Sequence, residues 1–132
     1  MEKKILQATA NTPEVVLDPE KNIFQITGES RPEDIPAFYN PILQWLDEFG
    51  QHLTEHQDRD TPYEFNLNFE YFDSLSAKFI LDICKNLSRL RSEGNSIYLK
   101  WHFEKDDEDM QEVGKQMSRI SKLPFDFVEI KL

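Results

Sequence analysis

Tyr63-Glu64-Phe65-Asn66-Leu67-Asn68-Phe69 alternates large apolar with polar side chains and runs straight into Glu70-Tyr71-Phe72-Asp73-Ser74-Leu75-Ser76-Ala77-Lys78. A period of two marks a half-buried strand. Beyond Lys78 the period changes. Phe79, Ile80, Ile83, Cys84, Leu87 and Leu90 recur at helical spacing, and Glu93-Gly94-Asn95 stops the run. A strand that feeds a helix without a hairpin is the first half of a crossover, so an α/β fold is expected. The link between the two gathers two hydroxyls and a carboxylate at a helix N-terminus.

Upstream, Glu14-Val15-Val16-Leu17 reads as a short strand and Asp18-Pro19-Glu20-Lys21-Asn22 as a turn. Pro19 fixes one turn dihedral there and Asn22 tolerates a positive φ. Ile23, Phe24 and Ile26 form a second strand ended by Gly28, giving an antiparallel hairpin. Phe38, Ile42, Trp45, Leu46, Phe49 and Leu53 then follow a helical stripe, with Gly50 weakening its last turn. Its start has two readings. Ser30-Arg31-Pro32-Glu33 has the spacing of a capping box, whereas Asn40-Pro41 supplies an N-cap followed by a first helical proline. Residues 54–62 form a polar linker ended by Pro62.

Downstream, Ile97, Leu99 and Trp101 interleave with Ser96, Tyr98 and Lys100 as another strand. The acidic stretch Glu104–Asp109 leads into a helix bearing Met110, Val113, Met117 and Ile120, and Pro124 precedes a last strand, Phe125–Ile130. Residues 1–10 read as a loosely held start. The order β-β-α-β-α-β-α-β, with right-handed crossovers, predicts one domain spanning residues 1–132. It should hold a mixed, mostly parallel sheet of about five strands. An antiparallel N-terminal hairpin and three helices complete it.

With 132 residues, 39% of them hydrophobic and 12% aromatic, the chain can bury a real core. Its 25 carboxylates outweigh 15 basic side chains, for a net charge of −10. That field repels nucleic acid and disfavours anionic membranes. No apolar run is long enough to span a bilayer, and Met1–Gln7 does not read as a signal peptide. A cytoplasmic protein that meets other proteins is expected. Cys84, the one cysteine, sits in an apolar helix face and reads as a small buried hydrophobe without a disulfide partner.

No nucleotide-binding glycine loop, nucleophile elbow or histidine triad pattern is present, so the chain does not read as an enzyme. Glu48, His52 and His56 have ligand-like spacing, but Gly50 and the polar linker favour a solvated helix end. Glu104, Asp106, Asp107, Glu108 and Asp109 lack the glycine and ligand periodicity of a calcium loop, and read as a capped helix start. No metal or cofactor is expected. His102 follows a strand and reads as a surface or strand-end residue.

The strand-to-helix junction remains. If Asp73 is the N-cap, its carboxylate accepts the Leu75 or Ser76 amide and Ser74 takes the first helical position; if Ser74 is the cap, its hydroxyl does this work. Either way Ser74 stands at the positive end of a helix. A phosphate there adds a charge of about −1.5 to −2, favoured by the helix dipole and opposed by Asp73 and Glu70. Lys78, one turn on, offsets part of that. Physics admits both a plain cap and a regulated hydroxyl. Tyr39, Tyr71 and Phe72 are candidate aromatic anchors for an interface.

Four separate segments resemble the SiaC family of regulatory phosphoproteins, relatives in fold of STAS-type anti-sigma-factor antagonists. Thr12-Pro13-Glu14-Val15-Val16-Leu17-Asp18 is similar to the family's opening strand. Gly28-Glu29-Ser30 with Pro32-Glu33 is similar to its Gly-Glu-Ser-x-Pro-Glu segment. Phe38-Tyr39, Pro41 and Trp45-Leu46 resemble its first helix, and Tyr71–Lys78 resembles its phosphosite. The family's phosphoacceptor threonine falls on Ser74, with Asp73 in place of asparagine and Leu75 in place of serine. Ser76 is the rival acceptor.

The resemblance implies a STAS-like domain that, unmodified, binds and activates a diguanylate cyclase, promoting cyclic-di-GMP signalling and biofilm formation. It implies phosphorylation by an anti-sigma-type serine/threonine kinase and reversal by a PP2C-like phosphatase, whose metal is its own. The docking face would comprise Tyr71, Phe72, Asp73, Ser74, Leu75 and Lys78. The alternative is an anti-sigma-factor antagonist that controls a sigma factor by partner switching.

Overall fold

The computed structural model describes residues 1–56 and 58–131. Their elements are β1 (Lys4–Leu6), β2 (Glu14–Asp18), β3 (Ile23–Ser30), α1 (Ile35–His56), β4 (Tyr63–Phe72), α2 (Ser74–Ser92), β5 (Ile97–Glu104), α3 (Glu108–Ser121) and β6 (Phe125–Ile130). The strands lie in one sheet in sequence order, β1-β2-β3-β4-β5-β6. β1/β2 and β2/β3 are antiparallel and the other three pairs are parallel. The mixed α/β sheet with its N-terminal hairpin and three helices is thus as expected, and Asn22 takes φ 54° in the hairpin turn.

The start of the chain departs from expectation. Residues 1–10 are not simply loose: Lys4, Ile5 and Leu6 pair with Leu17, Val16 and Val15 as a sixth, edge strand. The Trp45 indole also donates to the Glu2 carbonyl at 3.0 Å, fastening this segment to α1.

Sequential parallel crossovers of one hand place the helices on a single face of the sheet. Phe24, Phe65, Leu67, Leu99 and Trp101 are accordingly buried. Their neighbours Gln25, Asn66, Lys100 and His102 remain half-buried on the other face. That second face is laced by polar pairs, Lys100 to Glu64 at 3.1 Å and His102 Nε2 to Asn66 Oδ1 at 2.9 Å. Burial, then the Lys100 charge, hold the His102 pKa below its ordinary value. In the core Phe24 stacks on Phe65, with ring centroids 4.6 Å apart, and meets Phe49 at 5.5 Å.

Both readings of the first helix start are corrected. Asp34 precedes the helix; its carboxylate accepts the Ala37 amide at 3.1 Å. Ser30 instead ends β3 with its side chain buried, because strand pairing outweighs a local capping box. Pro41 lies inside α1, so Asn40-Pro41 does not open it. Gly50 is helical too: a Cβ there would stand 2.6 Å from Leu90 Cδ2, so its absence lets α1 and α2 approach closely. Gly114 does the same for α3 over Trp101, whose Nε1 would lie 2.5 Å from such a Cβ. Among the described residues no helix is long and apolar enough to cross a membrane.

Candidate functional site

β4 runs three residues past Phe69, and its end is bulged. Gly28 pairs with Phe69 but Glu29 pairs with Tyr71 and Ser30 with Phe72, leaving Glu70 without an opposite residue. One extra residue reverses the inward–outward phase of a strand. Tyr71 therefore points out, 50% exposed. Phe72 turns in against Phe69 and Trp101, with centroids 5.5 and 6.2 Å away. The bulge also brings the Asp73 amide to the Ser30 carbonyl, at 3.1 Å.

Asp73 is the N-cap of α2, extended at φ −80°, ψ 173°, and its Oδ1 accepts the Ser76 amide at 2.8 Å. Ser74 is the first helical residue and is exposed, as is Leu75 at 48%. The amides of Ser74 and Leu75 belong to the first turn, which has no intrahelical acceptors for them. That turn carries no acidic side chain. Two residues on, the situation inverts.

Ser76 is fully buried. Its hydroxyl accepts from Ser30 Oγ at 3.0 Å and donates to the Ser30 carbonyl at 3.3 Å. With the Ser30 proton so committed, Tyr39 Oη is the donor in the short bond to Ser30 Oγ. Tyr39, a candidate interface aromatic by sequence, is instead wholly inside the core. Burial pushes its phenol up to about 12, against the pull of its Ser30 and Ser76 hydrogen bonds, so it stays a proton donor.

Beside Ser74 a groove of about 440 Å³ separates the start of α2 from α3. Asp73, Ser74, Lys78 and Leu81 form one wall, and Val113, Met117 and Ile120 line the other. Ile120 is 58% exposed, although its spacing placed it on the core face of α3. Tyr71, Ser74, Leu75 and Lys78 are exposed at the corner where β4 ends and α2 begins, with Asp73 half-buried as the cap; of these four, Ser74 and Lys78 line the groove. Phe72 faces the core yet still borders the groove. The α3 wall was missed by sequence reading. Val113, Met117 and Ile120 keep ordinary core spacing, so nothing in the sequence marks them as a groove wall.

The His52 and His56 rings stack 4.0 Å apart, and His56 Nδ1 engages the His52 carbonyl at 2.9 Å. Among the described residues no group of three or more His, Cys, Asp or Glu is arranged to hold a metal. Cys84 is fully buried, and burial pushes its thiol up to about 12, far from a reactive thiolate.

The model of the SiaC family of regulatory phosphoproteins matches residues 6–130. An uncharacterized protein of Pseudomonas aeruginosa (strain UCBPP-PA14) is 23% identical over 120 residues, 91% of this chain and 90% of that one. The crystal structure of apo-SiaC from Pseudomonas aeruginosa is similar at TM-score 0.79 and 22% identity, covering 99% of this chain and 100% of that chain. A crystal structure of the diguanylate cyclase SiaD with its activator SiaC, from the same organism, matches at TM-score 0.83 and 22% identity. It covers 96% of this chain and 99% of its counterpart. At such identity these structures establish a shared fold.

Proposed function

The chain belongs to the SiaC family of regulatory phosphoproteins, and from that premise we propose that it is a phosphorylation-controlled adaptor docking through the corner around Ser74. Unmodified, it binds and activates a diguanylate cyclase, as the Pseudomonas aeruginosa SiaC is the activator of SiaD. Cyclic-di-GMP synthesis and biofilm formation rise in consequence. It works as a single regulatory domain in the cytoplasm. Its own residues perform no turnover.

An anti-sigma-type serine/threonine kinase transfers the γ-phosphoryl group of ATP to Ser74 Oγ, releasing ADP and a proton. A PP2C-like phosphatase hydrolyses the ester, returning the hydroxyl and inorganic phosphate. The observation that carries this assignment is the contrast between the two serines: Ser74 is exposed at a helix start, whereas the Ser76 hydroxyl is buried and engaged. The two free amides and the helix dipole accommodate the phosphate on the protein side. On the partner side the same charge must be desolvated beside Tyr71 and Leu75, and that cost opens the complex.

Calorimetry of the chain against a diguanylate cyclase tests the reading. Unmodified protein and Ser74→Ala should bind alike, while phosphate on Ser74 weakens binding by about tenfold or more. Equal affinity with and without phosphate would overturn the switch. Capture of a sigma-factor inhibitor kinase, with no cyclase binding, would select the anti-sigma-factor antagonist instead.

A further inference from the structure

Directly beneath Ser74 the core is polar where packing alone does not require it. The Tyr39 ring stacks on Phe79 at 5.6 Å and meets Phe38 edge-on at 5.0 Å. Phenylalanine at 39 and alanine at 30 or 76 would fill the same space without hydroxyls. Instead Tyr39 donates to Ser30, Ser30 to Ser76 and Ser76 to the Ser30 carbonyl, which also accepts the Asp73 amide. Such a fully paired buried network adds little net stability but fixes the geometry of the parts it joins. Here it joins the end of β3, the second turn of α1 and the first turn of α2. Ser74 thus sits between two anchors, the Asp73 cap and the buried Ser76 hydroxyl.

We propose that Ser30, Tyr39 and Ser76 are positioning residues for phosphotransfer, an inference that rests on Ser74 being the phosphoacceptor. They hold the first turn of α2 so that the Ser74 hydroxyl meets the kinase in one orientation. None of them touches the transferred group. Phosphoryl transfer depends on in-line alignment of the attacking oxygen, so a loosened turn lowers the rate in the bound complex. Docking through Tyr71 and Leu75 is unaffected. The signature is therefore a fall in kcat at constant KM.

The test compares Tyr39→Phe and Ser30→Ala with Ile97→Val, a core shortening at the opposite end of the sheet, after thermal melting has matched their stabilities. Amide exchange is followed over residues 74–77, and Ser74 phosphorylation is timed with the kinase that modifies the wild-type chain. Both cluster variants should exchange the Ser76 and Ala77 amides about fivefold faster and lose kcat by about the same factor, with KM unchanged. Ile97→Val should change neither. Cluster variants that behave like Ile97→Val, or that raise KM at constant kcat, overturn the positioning role alone. A wild-type chain that takes no phosphate on Ser74 overturns the underlying phosphosite reading and the positioning role with it.

Discussion

At the ends of β4 and β5 the chain makes the same move twice. A parallel strand stops, and an aspartate caps the next helix. Asp73 Oδ1 accepts the Ser76 amide at 2.8 Å and Asp107 Oδ1 accepts the Met110 amide at 3.0 Å. Beyond the caps the two helices differ. α3 places Glu108 and Asp109 in its first turn, so its dipole is met by the chain's own carboxylates. α2 places Ser74 and Leu75 there with no acid, beside an apolar groove and above a buried hydroxyl cluster. A capped helix end is ordinary structure. One whose first turn adds no acid beyond the cap and presents an exposed hydroxyl leaves room for an added anion.

High pH separates the two helix starts most forcefully. Tyr39 holds its proton up to about 12 in the fold against 10.0 ordinarily, so its contribution is complete below pH 10 and lost as pH rises towards 12. The loss amounts to roughly 2–3 kcal/mol, and Tyr39→Phe should remove that part of the alkaline unfolding curve while Cys84's part persists. Amide exchange during the titration should loosen the start of α2 before that of α3. Next in size is Gly114→Ala, which forces a Cβ towards Trp101 and should cost about 1–3 kcal/mol in urea unfolding. A change below about 0.5 kcal/mol would mean that α3 is not seated this closely on Trp101.

Smaller effects bear on the caps themselves. Asp73→Ala and Asp107→Ala each remove one cap and should each cost about 1 kcal/mol, so unequal losses would show that the junctions are not equivalent as caps. Asp73→Asn keeps the cap and removes the charge, and should leave stability nearly unchanged. Smallest is the pair Ser74→Ala and Glu108→Ala. The first should alter stability by less than about 0.5 kcal/mol, since the hydroxyl caps nothing. The second should lose about 0.3–1 kcal/mol at low salt, recovered as ionic strength screens the dipole.

Strands β2 to β6, the three helices and their order were legible in the sequence because burial on one face imprints periods of two and 3.6. The Asp73 cap was legible as one of two candidates. The bulge at Glu70 was not, because alternation reports phase only while it lasts, and Tyr71-Phe72 interrupts it. β1 escaped because three residues on a sheet edge carry almost no period. Ser30 and Pro41 misled for one reason: long-range pairing and packing overrode local signals. Ser74 and Ser76 look interchangeable along the chain, and only the fold separates an exposed hydroxyl from one bonded 46 residues away. Even then, physics admits a phosphate at Ser74 without requiring it. The family likeness is what points to that use.

Peptide mass analysis after incubation with ATP and an anti-sigma-type kinase that modifies the chain tests the switch at Ser74 most directly. Phosphate on Ser74 and none on Ser76 is the expected result. Phosphate on Ser76, or a modified chain bare at Ser74, would contradict it.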